Sequence, residues 1–262
     1  MYRHRLISIF LALVCATFTV TSLSDDRQVV AVGGYLFPPF VERDENDVIS
    51  GVTIDLIDAM NEVQGNYYFL FRYSSPKGRY KLFEQERIDM LFFESKEWGW
   101  KDYPIDSTRV FLRGAELYIA KNKPGRDQNY FNNFRNKRIV GILGYHYGFA
   151  DFNSDEAFLR NNYNIVLITN NESSIELIRG GRSDVAVVTK SYLQRYLKQN
   201  PKAVEDLLLS ENLDQLYNHT ILVRHGINAN VDEMNQLLRM LAEKGKLAQI
   251  WEKYGINTDA KE

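Results

Sequence analysis

Cysteine is nearly absent: Cys15 is the only one in 262 residues. A disulfide framework and a multi-cysteine metal site are therefore excluded. A basic excess is missing too. Lys and Arg number 32 against 34 Asp and Glu, giving a formal net charge of −2 with the cations spread along the chain. A nucleic-acid binder would show a basic stripe. No apolar run reaches the ~20 residues that cross a bilayer as a helix. Proline is scarce, glycine is ordinary, and there is no low-complexity tract or repeat, so the chain is neither disordered nor collagen-like. The nucleophile elbow, the phosphate-cradling glycine loop and a cysteine nucleophile are all lacking. His146, His219 and His225 show no ligand spacing with Asp or Glu, so neither a metal nor a cofactor is expected.

What is present begins with an address. Arg3, His4 and Arg5 precede an apolar run of 15 residues, 6–20, followed by Ser22 and Ser24. This is the pattern of a cleaved secretory signal peptide, expected to cover residues 1–24. Cys15 falls inside it. The remaining 238 residues are long enough for two lobes with real cores. Along them, short apolar runs alternate with helix-period segments, which argues for α/β architecture. Strands are expected at 28–32, 67–73, 88–93, 115–120, 138–143, 165–168, 185–188 and 220–223. Helices are expected after Gly51, at 79–87, 155–160, 172–179 and 192–197, and twice near the C-terminus, with Trp251 and Tyr254 on the last. Tyr145 and His146, after Gly144, are expected to open a further helix. The order reads as two similar α/β units joined by strand-like crossings near 115–122 and 217–224. A cleft between two such units is a preferred place for a small ligand.

Several pieces in this order resemble one family. Gly34 with Phe37-Pro38-Pro39-Phe40 is similar to an aromatic-Pro-Pro-Phe turn, and residues 51–56 (GVTIDL) are similar to Gly-Phe-x-x-Asp-Leu. Ile88-Asp89, residues 137–144 (KRIVGILG), residues 181–186 (GRSDVA) and residues 245–255 (GKLAQIWEKYG) follow at matching spacing. Together they resemble the extracellular solute-binding proteins of family 3, over nearly all of the chain after residue 24. The resemblance implies a two-lobed type II periplasmic-binding fold, each lobe a mixed sheet flanked by helices, with two hinge crossings. Lobe 1 is expected at 25–118 plus 220–262, and lobe 2 at 119–219.

The resemblance also implies site positions, and here the chain departs from the family. The position of the family's carboxylate-binding Arg falls by spacing on Lys101. The position of its ammonium-binding Asp falls on Thr189. Both halves of the clamp for an amino-acid zwitterion are thus replaced. Phe37 matches the aromatic that lies against the ligand. Glu94, at a small polar position in relatives, is expected either to accept from a cationic ligand or to be solvated at a strand end. Arg79 is expected to contact an anion or to pair with Glu94. Trp98 and Trp100, flanking Gly99, offer a stacking wall, with at least one of them expected in lobe packing. Tyr145 and His146 occupy positions where relatives carry small hydroxyl residues. Tyr35 and Phe40 are read as packing residues.

The expectation from this sequence is a periplasmic, monomeric, non-enzymatic binding protein. It would capture a small polar or aromatic/cationic solute for an ABC-type importer of amino-acid-like compounds. A second reading is a ligand sensor for a membrane signalling partner, and a third is a dehydratase-like enzyme with Glu94 or His146 as acid or base.

Overall fold

The computed structural model describes residues 26–256; the signal-peptide expectation lies outside them. The strands are β1 (Gln28–Gly34), β2 (Glu42–Arg43), β3 (Ile49–Ser50), β4 (Tyr67–Tyr73), β5 (Met90–Glu94), β6 (Ile105–Ser107), β7 (Leu112–Lys121), β8 (Ile139–Ile142), β9 (Ile165–Ile168), β10 (Val185–Thr189) and β11 (Leu207–Arg224). The helices are α1 (Val52–Val63), α2 (Gly78–Glu84), α3 (Glu156–Asn162), α4 (Asn171–Arg179), α5 (Lys190–Gln199), α6 (Ala203–Asp206), α7 (Val231–Glu243) and α8 (Lys246–Tyr254).

Nine of the strands form one sheet: eight follow the path β4-β1-β5-β11-β7-β10-β8-β9, and β6 pairs with β11 off it. β4, β1 and β5 are parallel to one another, as are β10, β8 and β9. Between these two parallel sets lie β7 and β11, which are antiparallel to each other and to the strands they join. β7 meets β11 from Leu112↔His219 to Lys121↔Leu207, with register shifts near Leu213. The sequence pattern indicated only the last part of β11, a strand at 220–223 within a crossing near 217–224. Its first two-thirds mix apolar and polar residues because this stretch passes from one half of the molecule to the other, so its faces see a core, a cleft and solvent in turn.

Local chemistry sets the flanking helices. α1 buries Leu56, Ile57, Ala59 and Met60 on one stripe. Its first amides donate to the carbonyls of Pro39 and Phe40 (3.1 and 2.9 Å), which ties the YLFPPF turn to the helix start. Gly51 permits this: its φ is 123° and a Cβ there would collide with both carbonyls. Asp155 and Asn170 cap α3 and α4 by accepting from the amides of Phe158 and Ser173. α8 ends at Gly255 in the left-handed region. A large core runs from Val32, Leu56 and Met90 to Leu241 and Trp251, and a second, of Ile119, Val140, Ile178 and Val188, lies under α4 and α5.

The helix expected to open at Tyr145 is absent. Residues 145–147 are irregular and only a 3-10 turn follows, at Gly148–Ala150. Its free amides have a partner of their own: Asp214 accepts from Gly148 and Phe149 N–H at 2.8 and 2.9 Å. The anion attracted to this backbone is a carboxylate of β11.

The close approach at Gly148 gives a stability test. A Cβ there would run into the Asp214 carbonyl, a backbone atom that cannot turn away. Gly148→Ala is expected to cost about 1–3 kcal/mol in urea unfolding. Gly65→Ala, with nothing within 4 Å of its Cβ, should stay within about 0.5 kcal/mol of the parent.

Candidate functional site

The two halves meet around an aromatic chamber at the middle of the β7–β11 pair. Its walls are Tyr35, Phe37, Arg79, Trp98, Glu116, Gly144, Tyr145, His146 and Gln215, and in this conformation it encloses about 10 Å³. That is room for about one water, so a solute gains access only if the halves part. Phe37 is the hub: its ring is 5.8 Å from Trp98 and 5.6 Å from Tyr145, both edge-on, and stacks with Tyr35 at 6.0 Å. The Tyr145 hydroxyl donates to the Leu36 carbonyl across the cleft at 2.9 Å. Trp98 Nε1 donates to Gln215 Oε1 at 3.2 Å, and the Gln215 amide donates to the His146 carbonyl. On one flank, a groove of about 750 Å³ runs between Leu36, Pro38 and Glu42 and the start of α4 with α5. Arg195 reaches across it to pair with Glu42.

Arg79 and Glu94 are each 1% exposed and lie 3.2 Å apart. The guanidinium sits over the rings of Tyr35 and Tyr80 (4.6 and 4.4 Å) and donates to the Tyr80 hydroxyl and the Pro76 carbonyl, and its Nε has no partner among the described residues. Burial pushes the Glu94 carboxyl upward, against the Arg79 guanidinium and the Trp100 N–H that favour its charged form. Of the two roles open to Arg79 from sequence, the structure shows pairing with Glu94. Glu94 is correspondingly neither solvated nor free, since Arg79 and the Trp100 indole (3.1 Å) both take it.

Other expected residues fall outside the chamber. Trp100 is fully buried against Tyr80, Phe83 and Tyr103, so of the two tryptophans only Trp98 faces the cleft. Lys101 is two-thirds exposed and pairs with Glu97, four residues earlier, on the turns that follow β5. Thr189 is completely buried beneath the chamber wall, where its hydroxyl donates to Glu116 at 3.0 Å. Phe40 packs on Phe93 and His219, as read from sequence. Tyr35, read as packing, lines the chamber.

His146 Nδ1 lies 2.6 Å from the Phe152 carbonyl, which assigns its proton there, and Nε2 lies 3.0 Å from the Tyr80 hydroxyl. Burial, then the Arg79 charge, pushes its pKa down to about 4. His219, enclosed by Phe37, Phe40, Phe93, Trp98 and Tyr217, is pushed down by burial to about 3. Sequence reasoning missed Glu116 and Gln215. Both sit on the crossing strands, directly opposite one another. Glu116 is 3% exposed; burial, and secondarily Asp214, pushes its carboxyl up to about 8, against the Thr189 hydroxyl. The one available signal was a lone acid inside an apolar strand, AELYIA.

Two halves of a mixed sheet, bridged by paired strands and closing on an aromatic chamber, define a two-lobed binding-protein fold. The family profile of bacterial extracellular solute-binding proteins, family 3, matches residues 29–257, and the chain belongs to that family. A curated relative, a probable histidine-binding protein of Neisseria gonorrhoeae, is 22% identical over 83% of this chain and 79% of its own. Among solved structures, a histidine-bound ABC uptake transporter substrate-binding protein from Streptococcus pneumoniae superposes with a TM-score of 0.70 at 16% identity, covering 89% of this chain and 95% of its own. A mutant of ArgBP from T. maritima gives 0.68 at 19% identity, with coverages of 87% and 96%. The family and these relatives are binding proteins. Among the described residues, no helix is long and apolar enough to cross a membrane.

The buried pair and the histidines each yield a prediction. Glu94→Leu leaves the Arg79 guanidinium buried without its counter-ion and is expected to cost about 3–5 kcal/mol in denaturant unfolding. Arg79→Met combined with Glu94→Leu should recover most of that loss. His146 and His219 have folded pKa values below their unfolded ones, so the unfolded chain binds protons first. Their contribution to stability is complete above pH 6.5 and is lost as pH falls toward 4. His219→Phe should make the unfolding free energy fall less steeply between pH 6.5 and 4 than in the parent.

Proposed function

We propose that this protein captures a small polar or aromatic/cationic solute between two lobes and delivers it to an ABC-type importer of amino-acid-like compounds. The lobes are residues 25–118 with 220–262, and residues 119–219, joined by β7 and β11 as the hinge. The observation that carries the reading is the chamber itself. Phe37 and Trp98 come from the first lobe, Tyr145 and His146 from the second, and Glu116 and Gln215 from the strands between them. Only the closed form touches a ligand from all three, so binding shifts the open–closed equilibrium toward closure. A membrane permease then recognises the closed form. The names of the relatives support an amino-acid-like ligand. Export to the periplasm by cleavage after Ser24, and action as a monomer, complete the reading.

The outward turn of Lys101 and the burial of Thr189 beneath Glu116 support a ligand that differs from an ordinary α-amino acid. Thermal-shift screening of the purified mature protein against a library of small metabolites, followed by small-angle scattering of each hit, tests the proposal. A hit should raise the melting temperature and reduce the radius of gyration, while glutamate, histidine and arginine bind weakly. Tight binding of any of those three would overturn the ligand assignment, and a library without a single hit at millimolar concentration would overturn capture.

A further inference from the structure

One acid in the chamber has no charged partner, and it points to a ligand. Arg79 and Glu94, 3.2 Å apart, offset one another. His146 is neutral at physiological pH, held down by burial and by Arg79. Asp214, behind the wall, is taken up by the Gly148 and Phe149 amides and by the Tyr118 hydroxyl at 2.6 Å. That leaves Glu116. Its carboxyl meets only neutral hydroxyls, those of Thr189 and Tyr217, and no Lys or Arg among the described residues forms an ion pair with it.

Its place in the fold is equally specific. Glu116 lies on β7, registered with Thr189 of β10 on one side and with Gln215 of β11 on the other. It therefore stands at the pivot and touches both lobes. The same small chamber is lined by the rings of Tyr35, Phe37, Trp98 and Tyr145. Aromatic rings around a buried acid are the surroundings in which an organic cation is held by ring quadrupoles and a charge-assisted hydrogen bond together.

We propose that Glu116 is the specificity-determining residue of the cleft and receives the ammonium of a singly charged organic amine that has no carboxylate. The inference rests on the capture reading above and names its ligand class. A zwitterion would need a partner for its carboxylate, and the Arg79 guanidinium is already engaged by Glu94, the Tyr80 hydroxyl and the Pro76 carbonyl, with Nε alone unpartnered. An amine makes no such demand. When the ammonium docks, the Glu116 carboxyl gives its proton to solvent and the ammonium N–H donates to the carboxylate formed. Binding therefore releases a proton, and affinity rises with pH until the carboxyl is already ionised, near 8. The groups facing Glu116 are Thr189, Asp214 and Tyr217, with Tyr35, Arg79, Tyr145, His146 and Tyr147 around them. Burial drives the four tyrosines upward, and His146 titrates near 4. Asp214, also raised by burial, is separated from Glu116 by the variant below.

The test is isothermal titration of the purified protein with two pairs of probes that differ by one carboxylate: phenethylamine against phenylalanine, and tyramine against tyrosine. Titrations at pH 6, 7 and 8 use two buffers of different ionisation enthalpy. The expected result is at least tenfold tighter binding of each amine, proton release below pH 8, and an amine affinity that rises several-fold from pH 6 to 8. Glu116→Gln, with its melting temperature confirming a folded chain, should erase both the amine preference and the pH dependence. Amino acids binding as tightly as the amines would overturn the assignment while capture stands. So would a Gln variant that keeps the preference, or a neutral or anionic library hit with neither amine bound. A protein that binds no probe and no library member loses both readings.

Discussion

The antiparallel pairing of β7 with β11 is the constraint on which the rest of the molecule depends. Each strand belongs to both halves, so one ladder of backbone hydrogen bonds carries the sheet from the β1–β4–β5 side to the β8–β9–β10 side. A strand that crosses a cleft cannot be apolar throughout, because its middle faces neither core. Glu116, Gln215, Tyr217 and His219 occupy that middle and are all buried. Glu116 and Gln215, facing one another across the ladder, line the chamber from this pair.

The chamber walls are held by polar groups committed to one another. Arg79 answers Glu94, the Trp100 indole also donates to Glu94, and Trp98 and Gln215 link the first half to His146 of the second. A buried ion pair is poor value for stability compared with apolar packing of the same volume. Its persistence here goes with the site: the Arg79 guanidinium and the rings of Tyr35 and Tyr80 set one wall in a fixed position. Asp214 plays a similar part in the other half, holding the turn at Gly148–Ala150 that places Tyr145 and His146.

Much of this was legible beforehand. Period-2 and period-3.6 patterns located most of the strands and helices within a few residues, and Gly51 marked a helix boundary that the backbone conformation explains. Phe37, Trp98, Tyr145 and His146 come together in the chamber; Trp100 and Lys101, three residues or fewer from Trp98, do not. Neighbours in sequence diverged because Gly99 sits at φ 79° and the segment turns tightly around it, so adjacent side chains leave in opposite directions. Counting spacing along the chain cannot register such a turn.

The amino-acid sequence alone determined the class of fold, the order of its elements and the family, since these follow from apolar periodicity and from short motifs whose residues are local to one another. Tertiary structure alone decided which charges meet. Glu116 and Thr189, 73 positions apart, and Glu116 and Gln215, on strands separated by the whole second half, become neighbours only through strand pairing. The electrostatic character of a site is a sum over distances in space, and the chain's own order holds no record of them.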